Sequence, residues 1–180
     1  MLNKCMIVLN IETDEISYKA KILTIQVRGS NLIKIWRIWD YKNEEELLRN
    51  FVRWFLREKD KVILGYNLLK FDLPLLLLKT AFFPEFEKFS MKINRANILD
   101  LFVILTFLNK GRIKSLEFYC KEIKKEIVPR EELLQMYENK LYPEMERSLV
   151  KNLSAINELF SVLWKSVDRD RYPNSLLIHH

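Results

Sequence analysis

VILGYNLLKFDLPL, running from Val62 to Leu75, carries the reading of the fold. Lys61 to Tyr66 is a short apolar run of strand length, and Gly65-Tyr66-Asn67 supplies turn chemistry after it. Pro74 then fits the first turn of a helix predicted over Leu73 to Phe82, with Asp72 placed to cap it. Upstream, Cys5 to Ile11 (CMIVLNI) is continuously apolar, as a central strand buried on both faces must be. Ala20 to Val27 is a second predicted strand, and Gly29-Ser30-Asn31 turns the chain into a third over Leu32 to Trp39. Asn43 caps a helix opened by Glu44, Glu45 and Glu46, whose buried stripe is Leu47, Leu48, Phe51, Trp54 and Phe55.

Downstream, Ala96 to Asp100 reads as a brief fifth strand leading into a helix near Leu101 to Leu108. Further helices are predicted over Ser115 to Ile123 and Glu131 to Asn139, separated by Pro129. A long helix after Pro143 repeats apolar residues at helical spacing: Met145, Leu149, Leu153, Ile156, Leu159, Phe160 and Leu163. The order is that of an α/β fold, a strand meander joined to a parallel extension and flanked by helices.

With 180 residues, 49% of them hydrophobic, the chain can bury one sizeable core. The expected organisation is one domain over 1–167 and a tail over 168–180. Thirty basic residues against 24 acidic give a net charge of +6 and a pI near 9.2. That balance suits a polyanionic partner, and equally suits plain solubility. No apolar run reaches the roughly 20 residues that span a bilayer, so no membrane partner is expected. The opening residues read as a strand rather than a signal peptide, which points to a cytoplasmic protein.

Missing residue types narrow the chemistry. Cys5 and Cys120 lie far apart without metal-ligand spacing and are expected to be small buried residues. The histidines are His179 and His180, so histidine-based nucleophiles and zinc centres have no place in the body of the chain. Gly29, Gly65 and Gly111 are too dispersed for a phosphate-cradling loop. Carboxylates, lysines, tyrosines and hydroxyls remain.

Gly65, Tyr66, Asn67, Phe71, Asp72 and Pro74 together resemble the second motif of DEDD-type 3′–5′ exonucleases, especially the proofreading domains of B-family DNA polymerases. The resemblance implies an RNase H-like mixed sheet of about five strands flanked by helices. The first motif of that family is a strand ending Asp-x-Glu-Thr, and here the strand ends Asn10-Ile11-Glu12-Thr13. Strand alternation puts Asn10 and Glu12 on one face and the neighbouring Asp14 on the other. The third motif, Tyr-x-x-x-Asp on a late helix, is met in its best register by Lys151 and Ala155. Ile98-Leu99-Asp100-Leu101 and Ser115-Leu116-Glu117 also resemble segments of the family.

The family's hydrolysis, as the resemblance implies, uses two divalent ions about 4 Å apart, held by acidic side chains. Asn10 and Ala155 stand where two of those acids would be. Glu12 and Asp72 are the remaining candidate catalytic and metal-ligating residues, with Asn10 beside them. One expectation is weak Mg²⁺ or Mn²⁺ binding there; the other is no metal. Asn10 carbonyl, Asp14 and Glu158 are candidate replacement ligands. Lys151 is either a fixed cation paired with Glu12 and Asp72 or an ordinary surface lysine.

Thr13, Asn67, Phe71, Lys151, Lys114 and Lys121 are candidate contacts for nucleic acid. Lys114 and Lys121 belong to a basic segment from Lys110 to Arg130, which either tracks a phosphate backbone or forms a solvated helix face. The expected function is a degenerate exonuclease-like protein that binds single-stranded nucleic acid or a polymerase or other replication or repair partner. Two alternatives stay open: a working metal-dependent exonuclease with an unusual ligand set, and an accessory subunit that binds protein alone.

Overall fold

The computed structural model of the protein describes residues 6–59 and 61–168. Five strands form one mixed sheet: β1 (Met6–Thr13), β2 (Ile22–Arg28), β3 (Ile33–Arg37), β4 (Val62–Gly65) and β5 (Asn97–Asp100), in the order β3-β2-β1-β4-β5. β1 pairs antiparallel with β2, and β2 with β3; β4 runs parallel to both β1 and β5. This is the expected meander joined to a parallel extension. Met6 to Leu9 are all buried, as the unbroken apolar run of a central strand requires.

The chain divides into two compact units between Asp100 and Leu101, within the span expected to form one domain. The first holds the sheet together with α1 (Glu44–Arg57), α2 (Leu73–Thr80) and α3 (Phe86–Arg95). Asn43 accepts a hydrogen bond from the Glu46 N–H at 2.9 Å and so starts α1 as its cap. Phe51 packs edge-on to Trp36 at 5.1 Å and to Phe89 at 6.2 Å, tying α1 to β3 and α3. The second unit carries α4 (Leu101–Leu108), α5 (Leu116–Glu122), α6 (Arg130–Glu138) and α7 (Tyr142–Asp168). All seven apolar positions expected along the buried stripe of α7 are buried.

Several boundaries differ from expectation. β3 stops at Arg37, because Ile38–Asp40 winds into a 3₁₀ turn closed by Arg37 Nε on Asp40 at 2.7 Å. α2 ends at Thr80, ahead of Pro84, which disfavours helical geometry at the residue before it. α7 begins at Tyr142, with Pro143 inside its first turn. α3 was not expected at all, although Phe89 and Ile93 on its buried face are one helical turn apart. Among the described residues no helix is long and apolar enough to cross a membrane. Cys5, His179, His180 and the tail beyond Asp168 lie outside the described residues.

Candidate active site

Alternation along β1 and its pairing with β2 bring four polar side chains to one face of the sheet. Asn10 lies opposite Gln26, and Glu12 opposite Thr24. Asn10 Nδ2 donates to Glu12 Oε1 at 3.0 Å and to Gln26 Oε1 at 2.8 Å. Gln26 Nε2 in turn donates to the Thr24 hydroxyl, and both residues are fully buried. Burial without partners would cost each of these amides heavily, so the chain Glu12–Asn10–Gln26–Thr24 is a satisfied unit.

Asp72 reaches the same strand from β4. Gly65 is needed where β4 ends, because a Cβ there would lie 2.6 Å from the Leu9 carbonyl oxygen and 2.7 Å from Leu68 Cγ. Asn67 then takes a left-handed conformation (φ 65°) and opens a π-helical turn over Leu68–Asp72 that runs directly into α2. Asp72 itself is helical (φ −62°, ψ −50°) and makes no side-chain cap, so the expected capping role is not observed. Its carboxyl group instead takes a hydrogen bond from the backbone of Ile11, the residue between Asn10 and Glu12.

The Asp72 carboxyl group is buried, and its Oδ2 has no hydrogen-bond partner. Burial raises its pKa well above the ordinary carboxylate range, helped by the negative charges of Glu12 and then Asp100; the bond from Ile11 opposes this more weakly.

Asp100, at the end of β5, was noted in the sequence only as a family-like segment, yet it builds the turn. Its two carboxylate oxygens accept from the N–H groups of Asn67 at 2.8 Å and Leu69 at 2.9 Å. Two charge-assisted bonds thus hold the turn that delivers Asp72. Gln26 was also missed, since its role depends on cross-strand register rather than local pattern.

Thr13 is buried, and its hydroxyl donates to the Glu15 carbonyl at 2.6 Å, just after a register shift between Glu12 and Thr13. It helps to close the β1–β2 connection. Asp14 accepts the Lys21 N–H at 2.8 Å in the same connection. Phe71 stacks on Tyr18 with centroids 6.2 Å apart, and the Tyr18 hydroxyl donates to the Lys70 carbonyl at 3.0 Å. Tyr18 and Leu69 are both about half exposed, at 52% and 50%. This aromatic pair, beside Asp72 in sequence, was only half seen, because Tyr18 belongs to no motif.

In the second unit, Lys114 Nζ sits 5.1 Å from the centre of the Phe118 ring, and Lys121 is exposed. Lys151 forms an ion pair with Glu126 at 2.7 Å, which lowers the Glu126 pKa below its usual value. Within the second unit Lys151 is thus a solvent-exposed lysine, the second of its two expected roles, with an acid partner of its own. Ala155 is buried on α7, and Glu158 pairs with Lys125 at 2.7 Å. Cys120 is buried and its thiol is pushed up to about 12, chiefly by burial, so it is inert as a nucleophile.

The donor set does not fit a two-ion centre. A cation needs lone pairs, whereas Asn10 turns N–H donors toward Glu12 and Gln26. Both oxygens of Asp100 are committed to backbone. Among the described residues no three His, Cys, Asp or Glu side chains come together as a metal-holding cluster.

The family model described as DNA polymerase family B, exonuclease domain, matches residues 5–122. The solved structure of the family B DNA polymerase from the hyperthermophilic archaeon Pyrobaculum calidifontis is similar, with a TM-score of 0.62 and 16% sequence identity. The match covers 90% of this chain and 24% of the polymerase, so the chain spans about a quarter of that protein's length. At that identity the likeness speaks for the fold. No curated protein matches the chain.

Proposed function

This chain belongs to the exonuclease-domain family of family B DNA polymerases, and from that premise we propose that its hydrolysis has lapsed while a single-strand-binding surface persists. The observation that carries this reading is the Asn10 amide, which donates to Glu12 where the family resemblance calls for a second acid. An acid at that place would add a ligand and a charge; the amide adds a proton donor. The exonuclease-like fold itself follows from family membership.

The binding half of the proposal rests on the Tyr18–Phe71 pair. A half-exposed aromatic platform held by a backbone hydrogen bond offers a face on which an unpaired base can stack. The net charge of +6 supplies attraction to a phosphate chain. Binding then needs no metal, in keeping with the ligand set.

Fluorescence anisotropy with a labelled single-stranded oligonucleotide in EDTA tests this. The expected result is binding that weakens steeply with salt and falls about tenfold in Tyr18→Ala, the loss of roughly one stacked base. Binding that requires Mg²⁺, or is indifferent to Tyr18→Ala, would contradict it. Salt-insensitive retention of protein partners with no oligonucleotide binding would favour the accessory-subunit alternative.

A further inference from the structure

α4 has the sequence LFVILTFL, without a single charge. Leu101 and Leu105 lie one turn apart and are buried, as is Asn109 just past the helix end, so they define its inward stripe. On a helix with one buried stripe the opposite face is expected to be polar. Here that face carries Val103, 51% exposed, and Phe107, 82% exposed, again one turn apart. Two large apolar side chains in register on a solvent-facing helix surface form an anchor pattern for a partner.

The chain that follows fixes the chemistry beside this face. Lys110 (φ 53°) and Gly111 (φ 83°) are left-handed, and the Gly111 N–H closes on the Thr106 carbonyl at 2.8 Å. Asn109 Nδ2 donates to the Arg112 carbonyl at 2.8 Å, which pins the loop. Lys110 and Arg112 are exposed on it, and no acidic residue occurs between Leu101 and Leu116. The apolar face is thus followed directly by two exposed cations, on a loop whose backbone is held by hydrogen bonds.

We propose that the Val103–Phe107 face, followed by Lys110 and Arg112, docks an acidic amphipathic helix of another protein. Anchors at i and i+4 suit the apolar stripe of such a helix, and its carboxylates meet the lysine and arginine. A single-stranded nucleic acid fits less well, because Val103 offers no π-face for stacking. A second copy of this chain fits less well too, because each copy carries +6 and like charges would be brought together. The surface lies in the second unit and its use does not depend on the Asn10–Glu12 site.

The test uses the full chain and two labelled helical peptides of about 18 residues with the same leucine stripe, one with glutamate and one with lysine at the polar positions. The glutamate peptide should bind at micromolar concentration and the lysine peptide should not. Phe107→Ser should weaken the glutamate peptide about tenfold, and so should the double change Lys110→Glu, Arg112→Glu. Phe82→Ser removes an exposed phenylalanine of the first unit and should leave binding unchanged. Equal binding of both peptides, an equal loss in Phe82→Ser, or no loss in Phe107→Ser would overturn the proposal. So would an oligo-dT probe losing affinity in Phe107→Ser while the glutamate peptide does not.

Discussion

Asn10 Nδ2 lies 2.8 Å from Gln26 Oε1, across the antiparallel pair of β1 and β2. That contact makes Asn10 part of the sheet's own polar wiring rather than a vacant position where an acid is missing. Gln26 orients the amide, and the amide orients Glu12.

Removing Gln26 should therefore be costly. Gln26→Leu leaves the fully buried Thr24 hydroxyl and an amide proton of the partly buried Asn10 without their partner, a loss of about 1–3 kcal/mol. For a chain of this size the melting temperature should fall by roughly 2–4 °C per kcal/mol. A thermal melt of Gln26→Leu checks this, and an unchanged midpoint would show that the chain contributes nothing.

Asn10→Asp should destabilise the protein when no metal is present. The new carboxylate would face Glu12 at the distance where the amide now donates, and like charges in a partly buried place repel. Adding Mn²⁺ should restore part of the loss in Asn10→Asp while leaving the unsubstituted protein unmoved. Melts of both proteins in EDTA and in Mn²⁺ supply the comparison.

The Asp72 carboxyl group predicts a pH dependence. Its pKa in the folded protein lies above the ordinary value of 3.8, so the folded state holds the proton longer than the unfolded state does. The contribution of Asp72 to stability is then greatest at low pH and is lost as pH rises from near 3.8 through the folded value. Asp72→Asn removes this proton linkage. Its stability should change less with pH than the parent's over that interval, and at neutral pH its midpoint should be higher than the parent's. Denaturant titrations at several pH values measure both slopes.

Asp100 should govern the turn before Asp72. In Asp100→Ala the N–H groups of Asn67 and Leu69 lose charge-assisted bonds worth roughly 1.5–3 kcal/mol each in such settings. Hydrogen exchange at these two amides should accelerate more than exchange along β1. Uniform acceleration would mean that Asp100 serves the whole unit rather than this turn.

Much of this architecture is legible in local pattern. The continuous apolar run of β1, the Asn43 cap of α1 and the long stripe of α7 are short-range signals, and their positions hold to within a few residues. Strand alternation alone placed Asn10 beside Glu12. What stayed hidden depends on contacts between distant residues. Gln26 meets Asn10 from 16 positions away, and Asp100 meets Leu69 from 31. Asp72 has the spacing of a helix cap, but the π-helical turn before it continues into α2 and frees its side chain for the Ile11 backbone. Lys151 stands in the register of the expected third motif, and Glu126 of its own unit takes its charge.

Trimming of an end-labelled single-stranded oligonucleotide in Mn²⁺, with Glu12→Ala run alongside, tests the lapse of hydrolysis most directly. The expected result is no shortening by the unsubstituted protein beyond that seen with Glu12→Ala. Processive shortening that vanishes in both Glu12→Ala and Asp72→Ala would contradict it and establish a working exonuclease with an unusual ligand set.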